Sequence, residues 1–298
     1  MTSVSIIIPT YNRPRFLVRA VDSALAACPP DGEVIVIDDK SDTAEAALAN
    51  QAGDPRLMIT TNGGDKGAAG ARNWGITRAQ GEIIMLLDDD DVMVPDYPAR
   101  VMAAAKQSSA SFGYSNVDKA VNADAPFDGA VSNAIAGRVS GLLPPDLPLS
   151  EKVPGFSRGF WCRQEIFASA GMLCPEQWVE EDIDFVCRLF GLGHRCWFEA
   201  ASGCIITHHE DSTDGTAPRL STGTEATREA ECRVRTFRRN QGYFGLRSAD
   251  RWFLARRVLR LAALKDCDDL ARAFLRDLTP WSWRIEGWLF WRIKKLRV

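Results

Sequence analysis

Asp88, Asp89, Asp90 and Asp91 stand side by side where the apolar run from Ile83 to Leu87 ends. Adjacent carboxylates repel one another. A chain that sets four of them where a hydrophobic strand emerges needs compensating charge, most simply a hard divalent cation and its water. A solvated acidic turn is the competing interpretation. Asp38 and Asp39 close a second apolar run, Glu33 to Ile37. A third acidic group, Glu180-Glu181-Asp182-Ile183-Asp184, runs into Phe185, Arg188 and Leu189. Successive helical residues point about 100° apart, so Glu181 and Asp182 cannot both face one reaction centre. Acids in a first helical turn also favour the helix dipole without any catalytic duty. His208 and His209, two of only three histidines, follow the strand-like Cys204 to Thr207. Such a pair can meet a metal or a phosphate, or simply sit exposed.

The elements that must position these groups alternate. Val4 to Ile8, Glu33 to Ile37, Leu57 to Thr60 and Ile83 to Leu87 read as strands, rich in β-branched residues. Arg15 to Ala27, with helical spacing at Phe16, Ala20, Ser23 and Ala24, and Ala68 to Ala79 read as helices. Strand, helix, strand in this order requires parallel pairing with right-handed crossovers, which brings both carboxylate clusters to strand C-termini. In open α/β sheets that edge is where ligands bind. The apolar strands suit a sheet covered on both faces. Gly63 to Gly70 is glycine-rich but has neither the P-loop string nor the dinucleotide spacing. It either frees the backbone near a ligand or is a plain loop.

At 298 residues and 46% hydrophobic, the chain can bury a full core in one large domain plus an appendage. No apolar run reaches the length of a spanning helix, and no basic stretch precedes an apolar one at the N-terminus. The eight cysteines include no Cys-x-x-Cys pair, which fits reduced thiols in a cytoplasmic protein. The net charge of -3 hides an uneven distribution. Residues 233–298 hold 17 Lys plus Arg against 6 Asp plus Glu, a balance of +11, leaving -14 for residues 1–232. The Gly, Ser, Thr and Asp-rich stretch from Asp211 to Thr224 reads as a long loop, and a boundary is expected near residue 230.

Four blocks carry a family resemblance. They are Val4-Ser5-Ile6-Ile7-Ile8-Pro9-Thr10-Tyr11-Asn12-Arg13, Glu33 through Ser41, Gly70-Ala71-Arg72-Asn73-Trp74-Gly75-Ile76, and Leu87 through Asp91 continued by Pro95-Asp96. In order and spacing they resemble an inverting family 2 glycosyltransferase. The resemblance implies a GT-A fold, Rossmann-like, with a mostly parallel central sheet and flanking helices. Residues 1–230 would form that domain, 1–100 as its nucleotide-binding half and 101–230 as its acceptor and catalytic half, with 231–298 a basic, Trp-rich helical tail. It further implies that Asp39 accepts from a pyrimidine ring N–H, while Pro9, Thr10, Tyr11, Arg13 and Arg72 line the nucleoside and phosphate pocket. Asp88 and Asp89 would serve the nucleotide side. Asp90 would bind Mn²⁺ or Mg²⁺, with Asp89 or Asp91 able to substitute, since all four positions are Asp. His209, followed by Ser212, would join the metal or the diphosphate. Asp182 would be the base that takes the acceptor proton.

The donor would then be a nucleotide-diphosphate sugar, UDP-linked, and the acceptor a glycan or lipid-linked hydroxyl in polysaccharide synthesis. A nucleotidyltransferase or a catalytically inactive sugar-nucleotide-binding protein is the alternative. The loop from Glu210 to Gly223 would be a lid or a linker. Gly155 to Trp161 would line the acceptor side, with Trp161 and Trp178 either stacking on sugar or filling core. In the tail, Leu254, Val258 and Leu261 share one helical face, and Trp281, Ile285, Trp288, Leu289 and Leu296 form a second stripe among Arg284, Arg292, Lys294 and Lys295. Basic residues with tryptophans fit attachment to an anionic membrane surface on its cytoplasmic face; a docked appendage or a homodimer fits equally. No nucleic-acid reading motif is present, and the acidic body opposes such a partner.

Overall fold

The computed structural model describes residues 3–121, 131–132, 137–153, 156–208 and 225–296. The chain divides into two compact units. The first takes in Met1–Pro145, Pro154–Pro175 and Gly193–Ala217. Its first half alternates β1 (Val4–Thr10), α1 (Pro14–Ala27), β2 (Glu33–Asp38), α2 (Ala44–Ala47), β3 (Leu57–Thr61), α3 (Ala68–Ile76) and β4 (Ile83–Leu86). β5 (Val92–Met93), α4 (Tyr97–Gln107), β6 (Phe112–Val121), β7 (Val131–Ser132) and β8 (Gly141–Leu142) follow. β9 (Trp161–Arg163), α6 (Ile166–Ala170) and β10 (Cys196–His208) complete the unit.

The sheet runs β3-β2-β1-β4-β9-β6-β10-β5. The first four strands are parallel, as are β6 and β10, while β9 joins the two parallel groups in antiparallel pairing. Register fixes the functional edge: Thr10 lies opposite Asp38, and Ile7 opposite Leu86. The C-terminal ends of β1, β2 and β4 are therefore neighbours. Pro9 is tolerated in this central strand because Ile7 turns its carbonyl to Leu87 and Thr10 turns its own to Asp39. Alternation then puts the missing Pro9 N–H on the β4 side, past the last β1–β4 pair.

β-branched Val4, Ile6, Ile7 and Ile8 are fully buried, as are Val34 to Ile37. Pro14 starts α1 at a position that needs no N–H. That helix buries Leu17, Ala20, Val21 and Ala24, a face turned slightly from the one expected through Phe16 and Ser23. α3 lies close on β1: a Cβ on Gly75 would meet Ile7 at 2.6 Å. β10 is much longer than the expected Cys204 to Thr207. Its register shifts between Glu199 and Ser202 and again before Cys204 interrupt the alternation by which a strand is read.

The second unit takes in Asp146–Val153, Glu176–Leu192 and Pro218–Val298. It contains α5 (Leu149–Lys152), α7 (Glu181–Gly191), α8 (Ala226–Asn240), α9 (Ala249–Leu264), α10 (Asp268–Asp277) and α11 (Ser282–Lys295). A cut in sequence order near residue 230 keeps α5 and α7 with the sheet. Contacts instead group them with the C-terminal helices, because Leu149 and Cys187 share a core with Phe237, Leu254, Val258, Phe274, Trp283 and Trp291.

Asp184 on α7 is the polar centre of this unit. It is fully buried and accepts hydrogen bonds from Arg188 at 3.0 Å, Arg239 at 3.1 Å and Asn240 at 2.9 Å. Breaking a buried pair costs about 3–5 kcal/mol, and Arg239, whose side chain is 39% exposed, can recover some hydration. Asp184→Ala is therefore expected to lower stability by about 3 kcal/mol, read as a shifted urea midpoint with unchanged slope.

Candidate active site

Thr10 ends β1 and joins the two carboxylate clusters. Its carbonyl accepts the Asp39 N–H at 2.8 Å, and its hydroxyl donates to Asp89 at 2.8 Å. Asp38 and Asp39 then do different work. The Asp38 carboxylate accepts from Ser41, Thr43 and Ala44 and ties the chain into α2. Burial pushes its carboxyl up, but these hydrogen bonds outweigh that and hold it below the usual carboxylate range. Asp39 accepts from Asn62 at 2.6 Å and from the Gly67 N–H at 2.8 Å. Gly67 has φ +108°, which a side chain would resist, so the glycine-rich loop lets the backbone close on Asp39. Three non-glycine residues with positive φ, Asn12, Lys40 and Asp42, crowd the same ends of β1 and β2.

Beyond β4 the four acids separate. Asp89, buried, is bracketed by Thr10 and by Arg13 at 2.7 Å. Burial pushes its carboxyl up to about 7 against the pull of Arg13, so its charge depends on that guanidinium. Arg13 also reaches Asp90 at 2.8 Å, and Arg72, 5% exposed, binds Asp88 at 2.7 Å while its guanidinium lies 5.2 Å from the Phe156 ring centroid. Asp91 accepts the Thr207 N–H at 3.2 Å and so fixes the end of β10. Arg19 on α1 donates to the Asp90 carbonyl at 3.2 Å and to the Thr207 hydroxyl. Ligand oxygens of Asp88, Asp90 and Asp91 all lie within 4.8 Å of one another; the Asp89 carboxylate is not among them. Three close carboxylates, two of them buried, are a donor set that fits a hard divalent cation.

In the helical unit, Glu180 adopts φ +68° at the N-terminus of α7 and is held by Arg233 at 3.2 Å and Arg257 at 2.5 Å. Asp182, half-buried in the first turn of α7, accepts the Ile183 N–H on one oxygen at 2.7 Å.

The sequence profile described as "Glycosyl transferase family 2" matches residues 5–129. The chain is 30% identical over 220 residues to the succinoglycan biosynthesis protein ExoO of Rhizobium meliloti (strain 1021), covering 70% of this chain and 62% of that one. Residues 5–129 belong to glycosyl transferase family 2. A UDP-Glc:alpha-D-GlcNAc-diphosphoundecaprenol beta-1,3-glucosyltransferase of Escherichia coli, WfgD, is 32% identical over 115 residues, 39% of this chain and 46% of its own length. The chain thus spans less than two thirds of either relative. The fold matches that of S. aureus TarS, solved in complex with UDP-GlcNAc, with a TM-score of 0.74 over 99% of this chain and 88% of that one, at 14% identity. The architecture is GT-A.

Within this family 2 segment, Pro9, Thr10, Arg13, Asp39, Arg72 and Asp88 to Asp91 come together at one sheet edge. Tyr11 lies there too, 38% exposed, with the Lys66 ammonium 4.6 Å from its ring centroid. Arg19 and Asn62 were not singled out by motif. A cation on the inner side of an amphipathic helix, and an Asn immediately past a parallel strand, are the signals that mark them. His209, Ser212, the segment Glu210 to Gly223 and Gly155 lie outside the described residues. Trp161 is fully buried in β9 and is core, not a sugar platform, and Trp178 stacks under Arg228 at 3.8 Å.

The Asp38 cap yields a pH signature. Its folded-state pKa is depressed, so its contribution is present above the unfolded carboxylate range and is lost as pH falls through the folded value. Both carboxylate oxygens of Asp38 accept, whereas an amide offers one acceptor, so Asp38→Asn is expected to cost about 1 kcal/mol at pH 7. The difference in urea midpoint between the two proteins should shrink as pH drops toward 3, checked by paired denaturation curves.

Proposed function

We propose that the chain is a metal-dependent inverting glycosyltransferase that moves a sugar from a UDP-linked donor to a hydroxyl of a glycan or lipid-linked acceptor in cell-surface polysaccharide synthesis. One observation carries the reading: Asp39 just past β2, the buried Arg72, the partly buried Arg13 and a cluster of three carboxylates meet at one sheet edge of a family 2 segment. The printed names of the relatives support the donor and acceptor classes, since one uses UDP-Glc and a diphosphoundecaprenol-linked acceptor. On this reading the chain would work at the cytoplasmic face of the membrane that carries such an acceptor.

Asp39 would read the pyrimidine N–H, with Pro9, Thr10 and Tyr11 around the nucleoside. Asp88 and Asp89 would orient the nucleotide side through Arg72 and Arg13, and both guanidiniums suit phosphate oxygens. Asp90, with Asp88 and Asp91 close by and His209 as a further ligand, would hold Mn²⁺ or Mg²⁺, which neutralises charge on the leaving diphosphate. Asp182 would take the acceptor proton as the acceptor oxygen bonds to the anomeric carbon. The bond from that carbon to the diphosphate breaks, its electron pair leaving with the nucleoside diphosphate, and the configuration inverts.

Two variants test these roles. Asp90→Asn is expected to abolish transfer without lowering the melting temperature, and chelation should do the same to the parent protein. Full turnover in chelator would overturn the metal assignment, and release of pyrophosphate rather than nucleoside diphosphate would overturn the reaction class. Asp182→Asn should reduce turnover by roughly 10²- to 10⁴-fold with donor affinity nearly unchanged, because a base acts in the transition state. A collapse of donor affinity would make Asp182 a binding residue.

A further inference from the structure

Helix α11 is apolar on both sides. Trp283, Gly287 and Trp291, at i, i+4 and i+8, face inward, and a Cβ on Gly287 would meet Leu275 at 2.8 Å, so this side is closely packed. The opposite side carries Ile285, Trp288, Leu289, Ile293 and, just beyond the helix, Leu296, with Trp281 before its first turn. All six are exposed, from 48% for Trp288 and Ile293 to 85% for Leu296. The described residues include thirteen exposed large hydrophobics, and six fall on this one short segment, so they form a patch and not a scatter. A contiguous exposed apolar patch on a second face of a helix marks an interaction surface. The stripe visible in sequence is the outer one; on α9, Leu254 and Val258 are used up inside the helical core and Leu261 is buried as well.

Charge selects the occupant. Arg292 sits within the outer face, at i+4 from Trp288, with its guanidinium carbon 5.8 Å from the Trp288 ring centroid. Arg284 is exposed at the border, and Glu286 is the only acid on the helix. A two-fold contact with a second copy would press the same face against itself and bury one Arg292 near the other with few acids to pair them. A bilayer interface has no such conflict: the arginine stem lies along the apolar face while its head reaches lipid phosphates, and tryptophans favour that depth. No described helix is long and apolar enough to cross a membrane, so the helix would lie in the surface.

We infer that the outer face of α11 is a docking surface for an anionic phospholipid bilayer, with Trp281, Ile285, Trp288, Leu289 and Leu296 entering the acyl boundary and Arg292 bound to headgroup phosphate. The glycosyltransferase reading gives this contact its purpose, but the physical claim stands on the helix alone.

The test uses the full chain and vesicles of phosphatidylcholine, with and without phosphatidylglycerol. The parent protein should sediment with the mixed vesicles, and its tryptophan fluorescence should be quenched by brominated acyl chains. Ile285→Asp with Leu289→Asp should weaken sedimentation at least tenfold while melting temperature and UDP binding stay unchanged. Arg292→Gln should weaken it only for vesicles containing the anionic lipid. The inference is overturned if the parent protein stays in the supernatant with anionic vesicles, or if the double variant binds them as the parent does. It is equally overturned if light scattering shows a dimer that the double variant splits while vesicle binding is untouched, since a second copy then covers the face. UDP binding is read separately, so failure of the sugar-transfer reading leaves these outcomes distinct.

Discussion

The last residue of β1 is the constraint on which the ligand-binding edge depends. Thr10 uses its carbonyl to hold the start of the segment after β2 and its hydroxyl to hold the segment after β4. The two carboxylate clusters come from chain segments fifty residues apart in sequence. They become one site because the parallel register sets Thr10 opposite Asp38 and ends the β4 ladder at Ile7. A shift of that register by one residue would exchange inward and outward side chains along the whole of β1. The bonds of Thr10 to the Asp39 N–H and to the Asp89 carboxylate hold that register.

In each of the three acidic segments the fold holds neighbouring carboxylates in different ways. Asp38 caps α2 and leaves Asp39 at the edge. Asp89 is enclosed by Thr10 and Arg13 while Asp88, Asp90 and Asp91 converge. Asp184 is locked by Arg188, Arg239 and Asn240, and Asp182 stays half-buried at the start of α7. Four adjacent acids at a strand end call for compensating charge, and Arg13 and Arg72 supply part of it from the protein itself. These pairs hold the carboxylates in fixed orientations, which is what a cation or a diphosphate requires of its site.

Much of this was legible from residue order. The first four strands, α1, α3 and the shared edge follow from β-branched runs interrupted by helical spacing, since buried parallel strands leave that signature; α2, at four residues, is too short to show a period. The division of labour among adjacent acids does not show in sequence, because Asp38 and Asp39 differ only in which way an alternating strand turns them. Arg19 and Asn62 stand in no motif; only the sheet edge brings them near the acids. β10 was hard to read because its bulges break the period of two, and β9 because three residues are too few for a pattern. Sequence order presents residues 231–298 as a C-terminal tail, whereas the core of the helical unit draws in Leu149 and Cys187 from earlier in the chain, a grouping set by packing and invisible to a cut in sequence order.

The central claim is that the carboxylates at this edge bind a nucleoside diphosphate through a divalent cation. Isothermal titration of UDP into the protein, in Mn²⁺ and again in chelator, tests it most directly. The account predicts affinity at least about tenfold higher with Mn²⁺, a gain that disappears in Asp90→Asn while the protein remains folded. Equal affinity in Mn²⁺ and chelator, or a full Mn²⁺ gain in Asp90→Asn, would contradict it.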